Sequence, residues 1–556
     1  MHVTPRRFLP LLLCLAAQAF AAPTIIGNVQ GHTLLADGSL HDFAALAFDQ
    51  GHVLDTGDVA ALRARYHDAA YVDGHGATLL PGLIDSHGHV LDLGLDAARL
   101  DLVGTTSLAE ALARLKAYAA SHRDDAWLFG SGWNQVIWRL GRFPTAAEID
   151  AIEARRPVVL GRVDGHAKWL NSRALALAGI TRDTPDPQGG RIERDAAGNA
   201  TGVLVDNAMD YIDRVTPPPS LEARRTAVLE AIRIMNSVGL TGVADAGCTA
   251  ADIGLYRELD GAGRLDARIY AMIRDVGGDF DQLAAKGPVI AHGDSRLTVR
   301  SVKLFADGAL GSRGAALLEP YSDSPGKKGL LFVSNAEMNR KVAKALKAGY
   351  QVNVHAIGDA ANRQVLDAFE AAFGTVGGRD LRNRIEHAQI IAPSDIPRLA
   401  KLGITASMQP THATSDMNMA EDRLGRERLA GAYAWRTLLA QGTRIAGGSD
   451  FPVESPNPFY GLYSAVTRQD HAGLPPGGWL PAQRMTRLEA LRAFTLDGAW
   501  AQHQEKELGT LEPGKWADFI LIDTDVMKAP EAQVWRTKVR QTWVGGRKVY
   551  DAAAKS

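Results

Sequence analysis

The chain has 556 residues, which exceeds the usual size of a single domain and predicts one large domain with a smaller satellite. Its 61 basic and 63 acidic residues nearly balance, and the net charge of −2 gives no electrostatic support for binding nucleic acid or an anionic membrane. The two cysteines exclude a disulfide scaffold and a cysteine-rich zinc or iron–sulfur site, so any bound metal needs histidine and carboxylate ligands.

Residues 1–22 carry the three parts of a secretory signal peptide. Two arginines precede the apolar run FLPLLLCLAAQAF, and small residues around Ala21 and Ala22 provide a cleavage site. The apolar run is short for a bilayer span, so we expect no stable membrane anchor. The sequence therefore predicts an exported protein, periplasmic or secreted.

Both ends of the mature chain have the pattern of β structure. Over residues 23–80, short alternating apolar runs are separated by Asp-Gly and Gly-Asp turns, which is typical of hairpins. A similar pattern of strands and turns returns over residues 505–556. We expect the two ends to form one small composite β-sandwich domain.

Residues 81–504 predict an α/β fold, the (β/α)8 TIM barrel, because short apolar strands alternate with helical segments and eight such units close a barrel. The eight predicted strands are Leu79–Ile84, Gly239–Ala244, Arg268–Ile273, Val299–Phe305, Gln351–His355, Arg384–His387, Ile404–Met408 and Arg444–Gly448. The segment from about residue 95 to residue 235 separates the first two strands. It is too long for a loop, so it predicts an inserted lid or subdomain.

Polar residues at the ends of these strands predict a metal site. His87 and His89 are two residues apart on an extended segment, so both point to one side. Alone, this pair is also consistent with two turn histidines. His355, His387 and Asp450 follow three further strands, and the carboxyl ends of barrel strands meet at one face. Together, the five residues predict a divalent metal site.

Six motifs occur in order along the chain: TLLPGLIDSHGH, VKLFADGALGSRGAALLEPYSD, VNVHAIGDAANR, RIEHAQ, GGSDFPVESPNPF and LGTLEPGKWADFILID. With them the chain resembles the metal-dependent amidohydrolase superfamily, and within it amidohydrolase family 3, in the branch similar to N-substituted formamide deformylases. The resemblance spans almost the whole mature chain. It implies a TIM barrel together with a composite β-sandwich built from both termini.

The resemblance also implies a set of metal ligands, with one or two divalent ions, Zn²⁺ being the expected metal. The more buried ion would be held by His87, His89 and Asp450, and the second ion by His355 and His387.

Lys303 stands where many relatives carry a lysine carboxylated by carbon dioxide, whose carbamate bridges two metals. A carbamate supplies anionic oxygens, whereas a lysine amine in its cationic form cannot ligate. The alternative is an ion pair between Lys303 and Asp307 or another carboxylate.

The implied reaction is hydrolysis of a non-peptide carbon–nitrogen bond in a small-molecule amide: an N-acyl amine, an N-formyl amine or a cyclic amide. A metal-activated hydroxide would attack the carbonyl carbon, with Asp450 as proton shuttle and His387 or residues of the inserted segment as candidate oxyanion donors. An ester or lactone hydrolase or a deaminase is the alternative for the same site. A barrel that binds metal without catalysis is a third class. The sequence does not determine the oligomeric state, for which a homodimer is one candidate.

Five further residues are predicted to contact the substrate. Trp133, His166 and Trp169 lie in the inserted segment, whereas Ser312 and Arg313 follow the fourth strand. Aromatic side chains and polar donors suit a pocket for an amide with an apolar group. The alternatives are core or lid packing for the two tryptophans and a structural ion pair for Arg313.

Overall fold

The structure is a computed structural model that describes residues 22–554. The predicted signal peptide therefore lies outside the described residues, apart from Ala22. Between residues 22 and 554, no helix is both long enough and apolar enough to cross a membrane.

The strands, in chain order, are β1 (Thr24–Leu34), β2 (Leu40–Asp49), β3 (His52–Gly57), β4 (Ala70–Asp73), β5 (Thr78–Pro81), β6 (Leu83–Gly88), β7 (Leu100–Asp101), β8 (Leu128–Trp133), β9 (Val158–Arg162), β10 (Ala167–Leu170), β11 (Gly190–Arg194), β12 (Ala200–Asp206), β13 (Leu240–Cys248), β14 (Arg268–Arg274), β15 (Leu297–Phe305), β16 (Gln351–Ala356), β17 (Arg384–His387), β18 (Thr405–Met408), β19 (Ile445–Gly447), β20 (Phe519–Ile522), β21 (Val539–Val544) and β22 (Arg547–Asp551).

The α-helices are α1 (Val59–Arg65), α2 (Val90–Asp96), α3 (Leu108–Ser121), α4 (Ala146–Asp150), α5 (Ser172–Leu177), α6 (Asp210–Asp213), α7 (Leu221–Ser237), α8 (Ala250–Gly261), α9 (Gly278–Ala284), α10 (Asn335–Lys347), α11 (Asp359–Thr375), α12 (Ile396–Leu402), α13 (Pro410–Asp416), α14 (Ala420–Leu424), α15 (Trp435–Ala440), α16 (Pro458–Thr467), α17 (Arg487–Ala493), α18 (Leu496–Ala501) and α19 (Glu531–Val534). Short 3-10 helices lie at Asn207–Met209, Arg379–Leu381, Arg426–Gly431 and Pro481–Gln483.

The central sheet has eight parallel strands in the order β6, β13, β14, β15, β16, β17, β18 and β19. Apolar side chains of these strands and of the surrounding helices share one large core, as expected of strands that are covered on both faces. Between the last strand and the first, Gly88 forms a parallel bridge with Phe451, so the sheet nearly closes. The predicted α/β barrel is confirmed.

The predicted first barrel strand, Leu79–Ile84, is divided between two sheets. Its first half belongs to β5, which pairs with β20 and β1, whereas its second half belongs to β6 in the barrel. Gly82 lies between them, where a Cβ atom would overlap the Thr241 side chain. The apolar run is continuous in the sequence, so it does not show that the strand is divided at Gly82. The division depends on the contact with Thr241.

The two ends of the chain share one sheet, in the order β22, β21, β20, β5, β1, β2 and β3, with β4 paired to β1. The sheet curls, and its halves face each other across a common apolar core. The ring of Phe48 on β2 lies 5.7 Å from that of Phe519 on β20 and 5.8 Å from that of Trp543 on β21. The N-terminal and C-terminal strands thus stabilise each other directly.

The inserted segment has a six-stranded sheet of its own, in the order β11, β12, β10, β9, β8 and β7, with separate apolar clusters. The predicted insertion of about 95–235 ends too late. Helix α7 buries Val228 and Ala231 in the barrel core, and a Cβ at Gly94 of α2 would overlap the backbone of Ala227. Helix α7 therefore packs against the barrel, and its apolar face does not distinguish a barrel helix from an insertion helix.

A buried ion pair joins the barrel to the terminal sheet. Arg268 at the start of β14 donates from Nε and Nη2 to the two carboxylate oxygens of Asp518, at 2.6 and 2.9 Å. Asp518 also accepts a hydrogen bond from the backbone N–H of Gly545, while its carbonyl accepts one from Gly82. Each side chain is 7% exposed, so neither charge has water as a substitute partner.

We predict that Asp518→Ala lowers the free energy of unfolding by about 3–5 kcal/mol, because it leaves the Arg268 charge buried without a partner. Urea and thermal unfolding, followed by circular dichroism, measure the change. Arg340→Ala is the control, since it removes an ion pair with Glu337 in which the arginine side chain is 57% exposed, and we expect little change from it. Equal midpoints for the two variants would contradict a structural role for the Arg268–Asp518 pair.

Candidate metal centre

Histidine and carboxylate side chains converge at the carboxyl end of the barrel. The ring centroids of His87 and His387 are 4.7 Å apart, and those of His355 and His387 are 4.5 Å apart. Each of His87, His387 and Asp450 offers a donor atom, and these three atoms lie within 4.8 Å of one another. His89 lies beside this group, with its Nε2 atom 3.2 Å from Asp450 Oδ1. The structure thus brings together the five predicted histidine and aspartate ligands.

Asp450 has its two oxygens in different surroundings. Oδ1 faces His89 and His87, at 3.2 and 3.5 Å from their Nε2 atoms. Oδ2 faces the other way, 3.9 Å from Nδ1 of His387 and 3.7 Å from Nε2 of His412. Burial favours the protonated acid, but the neighbouring imidazoles, that of His89 first and then those of His87 and His387, outweigh it and hold the Asp450 pKa well below its usual range.

Both Asp450 and His387 have backbone conformations in the left-handed region, with φ of 62° and 71°. Residues other than glycine rarely adopt this backbone conformation unless the surrounding structure stabilises it. The support for Asp450 comes from the first barrel strand, because its N–H donates to the carbonyl oxygen of His87 at 2.7 Å. In the same contact, the backbone N–H of His89 donates to the carbonyl oxygen of Phe451 at 2.8 Å.

The side chain of Asp85 ties the same two strands together. It accepts hydrogen bonds from the Ser449 hydroxyl at 2.6 Å, from the Ser449 N–H and from the His87 N–H. A Cβ at Gly448 would come within 2.7 Å of Asp85 Oδ1, so the glycine permits this approach. Burial raises the pKa of Asp85 to about 7. Asp85 thus fixes the residues next to two candidate ligands.

A buried network orients His87. Nδ1 of His87 bonds to Glu386, and Glu386 is held in turn by Arg384 through bonds of 2.7 and 2.9 Å. Burial favours the protonated acid, but Arg384 and His87 outweigh it and hold the Glu386 pKa well below its usual range. Burial, and after it the charge of Lys303, lowers the pKa of His87 to about 4. His87 is therefore neutral, with its Nε2 turned towards the centre.

Lys303 enters the same centre from β15. Its Nζ atom lies 2.9 Å from His87 Nε2 and 4.8 Å from the centroid of the Phe305 ring. The side chain is buried, and burial lowers the pKa of Lys303 to about 8. Between residues 22 and 554, no carboxylate lies within 4.0 Å of the amine, so the alternative ion pair with Asp307 is absent.

Asp307 has other partners, which sequence reasoning did not identify. Its carboxylate accepts hydrogen bonds from the backbone N–H groups of Ala316, Ile357 and Gly358, at 2.8 to 2.9 Å. Burial raises the pKa of Asp307 to about 7. Its Oδ1 lies 3.6 Å from Nε2 of His355, so the carboxylate connects the loops after β15 and β16 beside the centre.

The donors fit a divalent cation. Asp450 Oδ1 and His355 Nε2 are buried, and neither has a hydrogen-bond partner among the residues that the structure describes. Burial and the neighbouring His166 hold the His355 pKa well below its usual value, and burial and His355 do the same for the His387 pKa. Neutral imidazoles and an ionised carboxylate offer lone pairs, as metal ligands must. This nitrogen and oxygen donor set suits zinc and similar ions.

His166 reaches the centre from the inserted segment. Its ring lies 5.1 Å from that of His355, and its Nδ1 atom bonds to Asp206 at 2.7 Å. Burial lowers the His166 pKa, but Asp206 outweighs it and the net shift is upwards. A Cβ at Gly308 or at Gly314 would overlap the Asp206 carboxylate, so these glycines in the loop after β15 let the carboxylate approach.

Trp133 and Trp169 lie in the core of the inserted sheet. The prediction that they contact the substrate is therefore wrong. Both are fully buried in the core of the inserted sheet, with ring centroids 6.2 Å apart. Each indole N–H donates to a backbone carbonyl, that of Leu160 for Trp133 and that of Thr145 for Trp169. Neither ring is exposed to contact a substrate, and both have the core-packing role that was the alternative interpretation.

Ser312 and Arg313 also have structural partners. Ser312 is fully buried and its hydroxyl donates to the carbonyl of Ala309, and its contact with a substrate stays a prediction. Arg313 is paired with Asp323 through bonds of 2.9 and 3.2 Å, which agrees with the ion-pair alternative.

Several residues at the centre were not predicted from the sequence: Asp85, Asp206, Arg384, Glu386, Gln389, Gln409 and His412. A signal existed for Arg384 and Glu386, because two opposite charges two residues apart in a buried strand point to the same side and pair. Asp206 and Gln389 gave no such signal, since their partners lie on other elements.

Known proteins resemble this chain over most of its length. An amidohydrolase family model matches residues 70–550. The chain is 34% identical to LONG AFTER FAR-RED 3 of Arabidopsis thaliana, over 94% of this chain and 90% of that protein. It is 30% identical to the N-substituted formamide deformylase of Arthrobacter pascens, over 86% of this chain and 89% of that enzyme.

Among solved structures, the fold is similar to that of a metal-dependent hydrolase from Pyrococcus furiosus, with a TM-score of 0.70 and 29% identity. The match covers 91% of this chain and 100% of that one. The family match, the relatives and the histidine and aspartate centre agree with one another. The chain belongs to the amidohydrolase family and is a metal-dependent hydrolase of that superfamily.

Proposed function

We propose that this protein hydrolyses a non-peptide carbon–nitrogen bond in a small-molecule amide, such as an N-formyl amine, an N-acyl amine or a cyclic amide. One observation carries the proposal: donor atoms of His87, His387 and Asp450 lie within 4.8 Å of one another, and the buried Asp450 Oδ1 has no hydrogen-bond partner among the described residues. The 30% identity to a formamide deformylase supports the choice of bond.

The two oxygens of Asp450 suit different roles. Oδ1 faces His87 and His89 and is placed to ligate with them. Oδ2 faces away from them and is free to take a proton from the attacking water as the water oxygen bonds to the carbonyl carbon. The same oxygen returns the proton to the nitrogen as the carbon–nitrogen bond breaks. A divalent ion, when bound, lowers the pKa of a water and polarises the carbonyl of the substrate.

We also propose that Lys303 is carboxylated in the active enzyme and that zinc is the metal. The amine is buried, has no acidic partner within the described range and lies against His87 Nε2. Its neutral form reacts with carbon dioxide by forming an N–C bond and releasing a proton. The product carries an anionic oxygen in place of an amine that would repel a cation.

The substrate end of the site is proposed to include His166. This side chain reaches the barrel centre from the inserted segment, where it is oriented by Asp206 and remains 17% exposed. Its Nδ1 is used by Asp206, so its Nε2 is the atom available to a polar group of the substrate.

We predict that Asp450→Asn keeps most of its metal but loses at least about 1000-fold in kcat, because the amide cannot take the water proton. The measurement is hydrolysis of a panel of N-formyl, N-acyl, cyclic-amide and ester compounds by zinc-loaded enzyme, with metal content determined by mass spectrometry. The control is Asp294→Asn, which makes the same change on an exposed loop. Wild-type turnover of esters alone would contradict the choice of bond, and turnover retained by the Asp450 variant would contradict its role.

We predict that enzyme stripped of metal in carbon dioxide-free buffer regains activity on addition of zinc only when bicarbonate is also supplied. Lys303→Ala should bind less metal and recover part of its activity when a short carboxylic acid is added, because the acid supplies the missing anionic oxygen. Intact-protein mass and metal content provide readouts apart from turnover. Full recovery in zinc alone would show that Lys303 acts as an unmodified amine.

We predict that His166→Ala raises KM by about tenfold or more, with a smaller change in kcat, because a hydrogen bond to the bound substrate is lost. Trp133→Leu should act differently, lowering the thermal midpoint while folded protein keeps its KM, because this ring packs in the inserted core. Steady-state kinetics and thermal unfolding distinguish the two. An unchanged KM in the His166 variant would remove this residue from the substrate site.

A further inference from the structure

His412 lies on the side of Asp450 that faces away from His87 and His89. It is carried by α13, which begins directly after strand β18, and its Nε2 atom lies 3.7 Å from Asp450 Oδ2. The plane of its ring is inclined by 25° to that of His387, with the centroids 5.9 Å apart. Only 7% of the residue is exposed, and Nε2 is buried without a hydrogen-bond partner among the residues the structure describes.

The other ring nitrogen fixes where the hydrogen of His412 resides. Nε2 of the Gln389 side chain lies 3.0 Å from Nδ1 of His412. An amide nitrogen only donates, so Nδ1 accepts, and the neutral ring carries its hydrogen on Nε2. Gln389 follows His387 by two residues and is itself buried. The end of β17 thus holds the His412 tautomer that presents an N–H group at the barrel centre.

The neighbouring acids do not use this N–H group. Asp416 accepts a hydrogen bond from the Tyr433 hydroxyl, and Glu454 accepts one from the Ser415 hydroxyl. The distance of 3.7 Å to Asp450 Oδ2 is too long for a hydrogen bond. A buried donor without an acceptor destabilises a protein, so its presence at this place indicates an acceptor that arrives with a ligand.

We propose that His412 is a further catalytic residue, whose Nε2–H donates to the carbonyl oxygen of the scissile amide and to the oxyanion formed when water attacks. This inference rests on the proposed function. The sequence had suggested His387 as an oxyanion donor, but Nδ1 of His387 is bonded to Gln409 at 2.9 Å and the ring belongs to the ligand cluster. His412 lies beside the oxygen of Asp450 that carries the proton, which is where the attacked carbonyl must be.

A donor of this kind acts mainly on the transition state, because the carbonyl oxygen gains negative charge as the tetrahedral centre forms. His412→Phe keeps the ring shape and removes the N–H. We expect kcat to fall about 100- to 1000-fold with KM little changed and with zinc content and thermal midpoint equal to those of the wild type. His412→Gln restores an N–H near the same place and should recover most of the lost kcat.

The control is His67→Phe, which changes a histidine whose side chain is 80% exposed and should leave kcat and KM unchanged. A His412→Phe variant with near wild-type kcat, or one whose activity falls in proportion to its zinc, would overturn the assignment. A failure of the proposed function gives a different result, namely that zinc-loaded wild-type enzyme hydrolyses no amide. That result would also overturn the assignment of His412.

A second measurement does not depend on turnover. In zinc-loaded protein with ¹⁵N-labelled histidine, the two-dimensional ¹H–¹⁵N spectrum distinguishes the two tautomers, and the His412 signal is identified by its loss in His412→Phe. We expect the hydrogen on Nε2 and a bare Nδ1. A hydrogen on Nδ1, with Nε2 bare, would leave no donor facing the substrate and would overturn the proposal.

Discussion

The candidate metal centre depends on how the last barrel strand meets the first. The N–H of Asp450 donates to His87, the N–H of His89 donates to Phe451, and Asp85 holds the Ser449 hydroxyl and N–H. These bonds continue the sheet across its closing point, beyond the end of β19. They also hold Asp450 in a left-handed backbone conformation that strand geometry alone would not produce. The contact that closes the barrel is therefore the same one that places a carboxylate over two histidines.

Charged side chains inside the barrel need partners of opposite charge or hydrogen-bond donors within the protein, because water does not reach them. Arg384 and Glu386 lie two residues apart on β17, both fully buried, and their charges cancel while Glu386 also receives Nδ1 of His87. Removing either partner would leave an isolated buried charge, so the pair and the histidine act as one unit. Within residues 22–554, Asp307 has no arginine or lysine partner of this kind. It accepts hydrogen bonds from three backbone N–H groups instead, and burial outweighs them and raises its pKa to about 7.

The sequence predicted the parts of this molecule that have local periodicity. Strand β17 was predicted with its observed bounds, and the ends of the barrel strands located the histidines, because one apolar run and the polar residue after it lie on one element. The break at Gly82 was missed, since it depends on Thr241 in a strand far along the chain. Trp133 and Trp169 were misassigned because an aromatic residue has the same local pattern in a core and in a pocket. His412 was missed because its unpaired nitrogen and its Gln389 partner are facts of three-dimensional placement.

The inserted segment reaches the candidate metal centre through His166 alone of the predicted site residues, and Asp206 of the same segment holds this side chain. Asp206 at the end of β12 enters a space that Gly308 and Gly314 leave open in the loop after β15, and it orients His166 beside His355. The candidate ligands themselves all come from barrel strands or the residues directly after them. Under the proposed function, changes in the insertion can therefore alter the shape and polarity around His166 while the candidate ligands keep their positions. The tryptophan core of the insertion supports this arrangement, because it packs strands β9 and β10, and His166 lies in the short connection between them.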